Sequence, residues 1–121
     1  MPDHETNIAE LRERVSKFVD ERDWQQFHSP KNLAMALAIE AAELMEHFQW
    51  ITTDASRAVD AQPEKLAAIG EELADVFCYV LAIANELNID LSTAFRDKMS
   101  KNEIKYPMPE YRGRYGPEDP G

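Results

Sequence analysis

The chain has a single cysteine, Cys78, so it cannot form an internal disulfide, and this usage fits a reducing cytoplasm. Cations are scarce: 13 Lys and Arg stand against 23 Asp and Glu, giving a formal net charge of −10. General binding to DNA or RNA needs clustered Lys and Arg along the backbone, so no nucleic-acid polymer is expected as a partner. A small phosphate ligand is still compatible, because a bound metal can neutralise its charge. Long apolar runs are also missing. The nearest, residues 34–39, is cut off at once by Glu40 and is too short to span a bilayer. Residues 1–10 are acidic and lack an apolar core, so neither a signal peptide nor a membrane partner is expected, and the reading is cytoplasmic. No segment shows a convincing strand pattern, and no regular repeat appears.

Helical periodicity is what the chain does have. Its 121 residues suit one domain with a modest core, which self-association would help. A first helix is expected over residues 6–22, with Ile8, Leu11, Val15, Phe18 and Val19 at helical spacing. Residues 23–29 read as an aromatic connector. Ser29 then offers an N-cap and Pro30 fits the first position of a second helix, which should run to about Trp50. Residues 52–62 form a polar connector with one short helical turn near residues 56–59. Pro63 opens a third helix to about Leu87, where Leu66, Ile69, Leu73, Val76, Val80, Ile83 and Leu87 alternate spacings of three and four. Asn88 can end it in a left-handed conformation, and Asp90 can cap a fourth helix over residues 91–105. Residues 1–106 thus form the expected domain, and 107–121 a flexible tail rich in proline, glycine and charge.

Two acid pairs stand out. Glu40 and Glu43 are three apart on the second helix, and Glu72 and Asp75 three apart on the third. Residues at i and i+3 are neighbours on a helix, so each pair repels unless a proton or cation intervenes. On a wheel of ~100° per residue, Glu40 lies within ~20–80° of Leu33, Leu37, Leu44 and Phe48. A lone carboxylate there would be costly. Glu43 and Glu72 border apolar stripes, Asp75 lies outside Glu72, and Tyr79 projects between those last two. Glu46 and Glu71 turn away. Two such pairs brought together make an all-oxygen site of the kind hard divalent cations prefer. Solvated faces also carry such pairs, so a structural reading stands beside this one. Lys98, Lys101, Lys105, Arg112 and Arg114 supply a basic end, useful for phosphate or simply for complementing a helix dipole. Trp24, Phe27, Phe48 and Trp50 flank the second helix as base-stacking or packing groups. His28 and His47 are possible ligands, but the Glu-x-x-His element of di-iron bundles is missing.

The ordered blocks resemble a known family. Residues 21–33, Glu-Arg-Asp-Trp-Gln-Gln-Phe-His-Ser-Pro-Lys-Asn-Leu, look like the entry segment of MazG-like nucleotide pyrophosphohydrolases. Glu40-x-x-Glu43 and Glu72-x-x-Asp75 are similar to the superfamily's metal motif. Phe48-Gln49-Trp50, the stretch 71–76, Lys98-Met99, Asn102 and Tyr106-Pro107 extend the likeness over residues 11–107. The dCTP pyrophosphatase branch is the most similar. The resemblance implies an all-α, four-helix-bundle-like NTP pyrophosphatase fold that assembles as a homodimer or homotetramer. It implies Mg²⁺-dependent hydrolysis, with Mn²⁺ as a substitute, of a (deoxy)nucleoside triphosphate such as dCTP to monophosphate and pyrophosphate. Glu40, Glu43, Glu72 and Asp75 would hold the metal, and Glu43 is the candidate to activate water, though another of the four acids could do so. Trp24 and Trp50 would enclose the base. Tyr79, Lys98 and Asn102 would meet sugar or phosphates, with Lys105 at a position usually basic. Animal members carry a histidine where this chain has Val15, which leaves base preference open. The competing readings are a non-catalytic nucleotide-binding module and a helical dimerisation module.

Overall fold

The computed structural model describes residues 2–114, and helices are the only regular structure among them. The chain divides into two units, Met1–Asn88 and Ile89–Gly121. The first holds α1 (Ile8–Glu21), α2 (Pro30–Glu46), the one-turn α3 (Thr53–Ser56) and the long α4 (Pro63–Leu87). The second holds α5 (Leu91–Lys105) and the one-turn α6 (Met108–Tyr111).

The helix starts follow local chemistry. The Ser29 hydroxyl accepts from the Asn32 N–H at 3.1 Å, and Pro30 follows at the first helical position. Asn7 caps α1, accepting from the Glu10 N–H at 2.9 Å, so the helix starts at Ile8. Asp90 caps α5 through the Thr93 N–H at 2.9 Å. Asn88 adopts φ 52°, ψ 42° and ends α4 as expected.

Two ends differ from expectation. Helix α2 stops at Glu46, and the chain tightens through Phe48 N–H to Met45 carbonyl (2.9 Å) and Ile51 N–H to Phe48 carbonyl (3.2 Å). The physical cause is downstream: Thr52 is already the N-cap of α3, accepting from the Ala55 N–H at 3.1 Å, so the chain must leave α2 before it. After Pro107, part of the stretch expected as tail is the helix α6. Prolines 107 and 109 preset φ there, and Tyr106 and Tyr111 meet edge to face with centroids 5.2 Å apart. The remainder of that expected tail, 115–121, lies outside the described residues.

Within the first unit, α4 is the central element, and both α2 and α1 pack on it. Leu33 of α2 is sealed at 2% exposure; Ile69, Leu81, Ala82 and Ala84 of α4 are buried, as are Val19 and Val59. Helix α1 is fastened by a reciprocal clasp. Arg12 Nε donates to Asn85 Oδ1, Arg12 Nη2 donates to the Ala84 carbonyl, and Asn85 Nδ2 donates back to the Arg12 carbonyl, each at 3.0 Å. Removing one side of a partly buried network leaves its partners unmet. Asn85→Ala should therefore lower unfolding free energy by about 1–3 kcal/mol in urea titration. A change below ~0.5 kcal/mol, the level of an ordinary surface substitution, would show that the clasp does not hold α1.

Candidate functional site

The pairing of α2 with α4 brings acids from both helices together. Glu40, Glu43 and Glu72 each offer an oxygen within 4.8 Å of the others, and all three are half-buried. Asp75 is exposed and stands outside that triad, one turn beyond Glu72. Its charge still acts on Glu40, Cys78 and Tyr79. Glu46 and Glu71 are exposed, as the helical wheel indicates.

Glu40 bears the stress of this arrangement. Its carboxyl is pushed up to about 7, first by loss of water, then by the carboxyl groups of Glu72 and Glu43, then by the charges of Glu43 and Asp75. Glu40 Oε2 and Glu72 Oε2 are shielded from solvent and have no hydrogen-bond partner. The ion pairs among the described residues, His4–Glu5, Lys17–Glu21 and Arg22–Glu21, lie elsewhere. Two sealed acceptors without a donor need a proton or a cation between them. The all-oxygen donor set fits a hard divalent ion such as Mg²⁺ or Mn²⁺.

Tyr79 flanks this cluster. It is half-buried, and its hydroxyl pKa is raised by burial and then by the charges of Glu40, Cys78 and Asp75. Cys78 was legible in the sequence only as a lone thiol; the structure puts it beside Asp75, with its pKa raised by desolvation and that charge. Its signal was the i, i+3 spacing from Asp75.

The aromatic candidates separate. Asp23 sits at φ 52°, and the Asp23 and Trp24 N–H groups return to the Asp20 and Val19 carbonyls, both at 3.1 Å. This is a Schellman end to α1. It turns Trp24 back onto Phe18 (centroids 5.6 Å, edge to face) and beside His28 (6.1 Å). Trp50 is 87% exposed. Among the described residues, neither His28 nor His47 joins the metal-capable group. In the second unit, Lys98 and Lys105 are exposed and Asn102 is half-buried, with Lys105 Nζ 5.3 Å from the Tyr106 ring centre.

A family model described as the MazG-like family matches residues 35–115. The chain is 43% identical over 110 residues to dCTP pyrophosphatase 1 of Rattus norvegicus, covering 90% of this chain and 64% of that protein. Against dCTP pyrophosphatase 1 of Homo sapiens it is 41% identical over 103 residues, covering 85% and 61%. It therefore spans less than two thirds of the length of these curated relatives. Its fold is similar to the crystal structure of a pyrophosphatase from Archaeoglobus fulgidus DSM 4304, with a TM-score of 0.75, 37% identity, and coverage of 88% of this chain and 98% of that one.

The raised carboxyl of Glu40 has a direct thermodynamic consequence. Without metal, the folded state holds a proton there from pH 4.5 to about 7, where the unfolded chain has released it. The associated stability is complete below pH 4.5 and is lost as pH rises through 7. With chelator present, the wild-type melting temperature should fall over that window relative to Glu40→Gln. Millimolar Mn²⁺ at pH 7.5 should restore it. Identical pH profiles for the two proteins, with no response to Mn²⁺, would remove the strain from the site.

Proposed function

The chain belongs to the MazG-like family, and on that premise we propose that it is a nucleoside triphosphate pyrophosphohydrolase, with dCTP or a related deoxynucleoside triphosphate as substrate. The observation that carries the reading is the pair of sealed, partnerless oxygens on Glu40 and Glu72, contributed by different helices at the motif positions.

Glu40, Glu43, Glu72 and Asp75 would hold Mg²⁺, with Mn²⁺ as substitute. When bound, such an ion offsets triphosphate charge and lowers the pKa of a coordinated water. Glu43 orients the attacking water and accepts its proton. A bond forms from the water oxygen to the α-phosphorus, and the bond from that phosphorus to the pyrophosphate oxygen breaks. Tyr79, whose pKa is raised by burial and then by the charges of Glu40, Cys78 and Asp75, stays protonated and can donate to a sugar or phosphate oxygen. Positioning and charge complementarity supply most of the acceleration.

Four further assignments follow the family resemblance: Trp24 and Trp50 to the base, Lys98 and Asn102 to sugar or phosphates, Lys105 to the leaving pyrophosphate, and a homodimer or homotetramer as the working assembly. No helix among the described residues is long and apolar enough to cross a membrane. A cytoplasmic setting is part of the proposal.

The test is pyrophosphate release from the eight common ribo- and deoxynucleoside triphosphates with Mg²⁺. Turnover should be highest for a deoxynucleotide. Glu72→Gln and Asp75→Asn should each reduce kcat by at least roughly 100-fold, with helical circular dichroism unchanged. Nucleotide binding without pyrophosphate release in the wild type would favour a binding module, and full activity in both variants would refute the assignment.

A further inference from the structure

We propose that Asn32 is a positioning residue for Trp24: from the first turn of α2 its amide fixes the connector 23–29, so that the indole stands in place before a nucleotide arrives. This role rests on the nucleotide reading above and belongs to a residue outside the acid motif.

The need for Asn32 begins at Pro30. Gln25–Phe27 form a 3-10 turn, and Pro30 then opens α2. In a continuing 3-10 turn the Phe27 carbonyl would be met by the N–H of residue 30. Proline has none. The Asn32 side chain supplies the donor instead, Nδ2 to the Phe27 carbonyl at 3.1 Å. Its backbone N–H goes to the Ser29 hydroxyl, also at 3.1 Å. One residue thus ties both sides of Pro30. It is exposed itself, but its neighbour Leu33 is the buried residue of α2, which anchors the amide to the core.

The connector carries that hold to the indole. The Phe27 N–H returns to the Trp24 carbonyl at 2.9 Å, so Phe27 is bonded to Trp24 on one side and to Asn32 on the other. Gln26 Nε2 donates to the Asp23 carbonyl at 3.0 Å, and Gln25 Nε2 to the Asp20 carboxylate. Trp24 remains 40% exposed beyond its contacts with Phe18 and His28, which leaves indole surface for a planar ligand. Holding a recognition group in its bound position lowers the ordering cost of binding. Such a wall acts on ground state and transition state alike, so it bears on KM and not on kcat. Asn32 and Glu40 are eight residues apart on α2, roughly 12 Å along its axis, so the acids keep their places when the amide is lost.

Steady-state hydrolysis with Mg²⁺ tests this, using the triphosphate turned over fastest in the panel above (dCTP expected). Asn32→Ala removes the donor. Asn32→Asp is isosteric, keeps the N–H to Ser29 and puts an anion into a first turn that has none, which favours the helix. It still has no donor for the Phe27 carbonyl. Both variants should raise KM about 3- to 10-fold, the range of one lost hydrogen bond, with kcat within about twofold of wild type. The melting temperature of Asn32→Asp should not fall. Pyrophosphate has no base, so its inhibition constant should stay within about twofold in both. The chain has two tryptophans, so in a Trp50→Phe background Trp24 fluoresces alone. There, without nucleotide, Asn32→Ala should raise acrylamide quenching by at least about 1.5-fold as the connector loosens. Unchanged KM in both variants, a loss of kcat in place of the rise in KM, an equal rise in the pyrophosphate inhibition constant, or unaltered Trp24 quenching overturns the proposal. Absence of turnover in the wild type would instead refute the pyrophosphohydrolase reading; wild-type turnover with unchanged KM in the variants removes only the role of Asn32.

Discussion

Like charges held together at low solvent exposure govern this molecule. Packing α2 on α4 buries Leu33 and the apolar side of α4, and the same packing forces Glu40, Glu43 and Glu72 into one small volume. Hydrophobic burial and carboxylate repulsion therefore act in opposition across a single helix pair. The strain shows at Glu40: loss of water first, then the neighbouring carboxyls, push its pKa up to about 7, and two oxygens remain without donors. Sites organised for charge commonly reduce the stability of the fold that holds them. A bound cation would turn the same repulsion into attraction, linking occupancy to stability.

The rest of the first unit supports that helix pair. The Arg12–Asn85 clasp fixes α1 against the C-terminal half of α4, away from the acids in sequence. The Schellman turn at Asp23 returns the chain to α2 and packs Trp24 on Phe18. Among the described residues the buried core is small, with Leu33 and Leu81 its large side chains sealed almost completely. A chain of this length buries a limited fraction of its surface alone. The open apolar groove beside α1 is the expected consequence.

Much of this was legible in the residues. Ser29-Pro30, Asn88 and Asp90 specify helix ends through local hydrogen bonding, and they perform as the sequence suggests. The heptad-like stripe from Leu66 to Leu87 gave α4 its extent, because spacing directly encodes a helical face. Glu40 and Glu72 could be singled out from Glu46 and Glu71 by the same geometry. Other features depend on contacts distant in sequence. Nothing local marks Arg12 as the partner of Asn85, and aspartate is an uncommon occupant of the left-handed position at 23. The early end of α2 came from a competing cap at Thr52, and α6 from two prolines that also fit an irregular tail. The helical wheel already put Asp75 outside Glu72, while the motif grouped it with the other three acids; in the structure it is exposed and stands apart from the triad.

The most direct test of a cation at the α2–α4 acids is crystallographic. Crystals grown with Mn²⁺ and measured at a wavelength where manganese scatters anomalously should show a peak bounded by the oxygens of Glu40, Glu43 and Glu72. Glu72→Gln crystals treated identically should lose it. A wild-type map with no anomalous density there, or with the three carboxylates turned apart into water, would contradict the central claim.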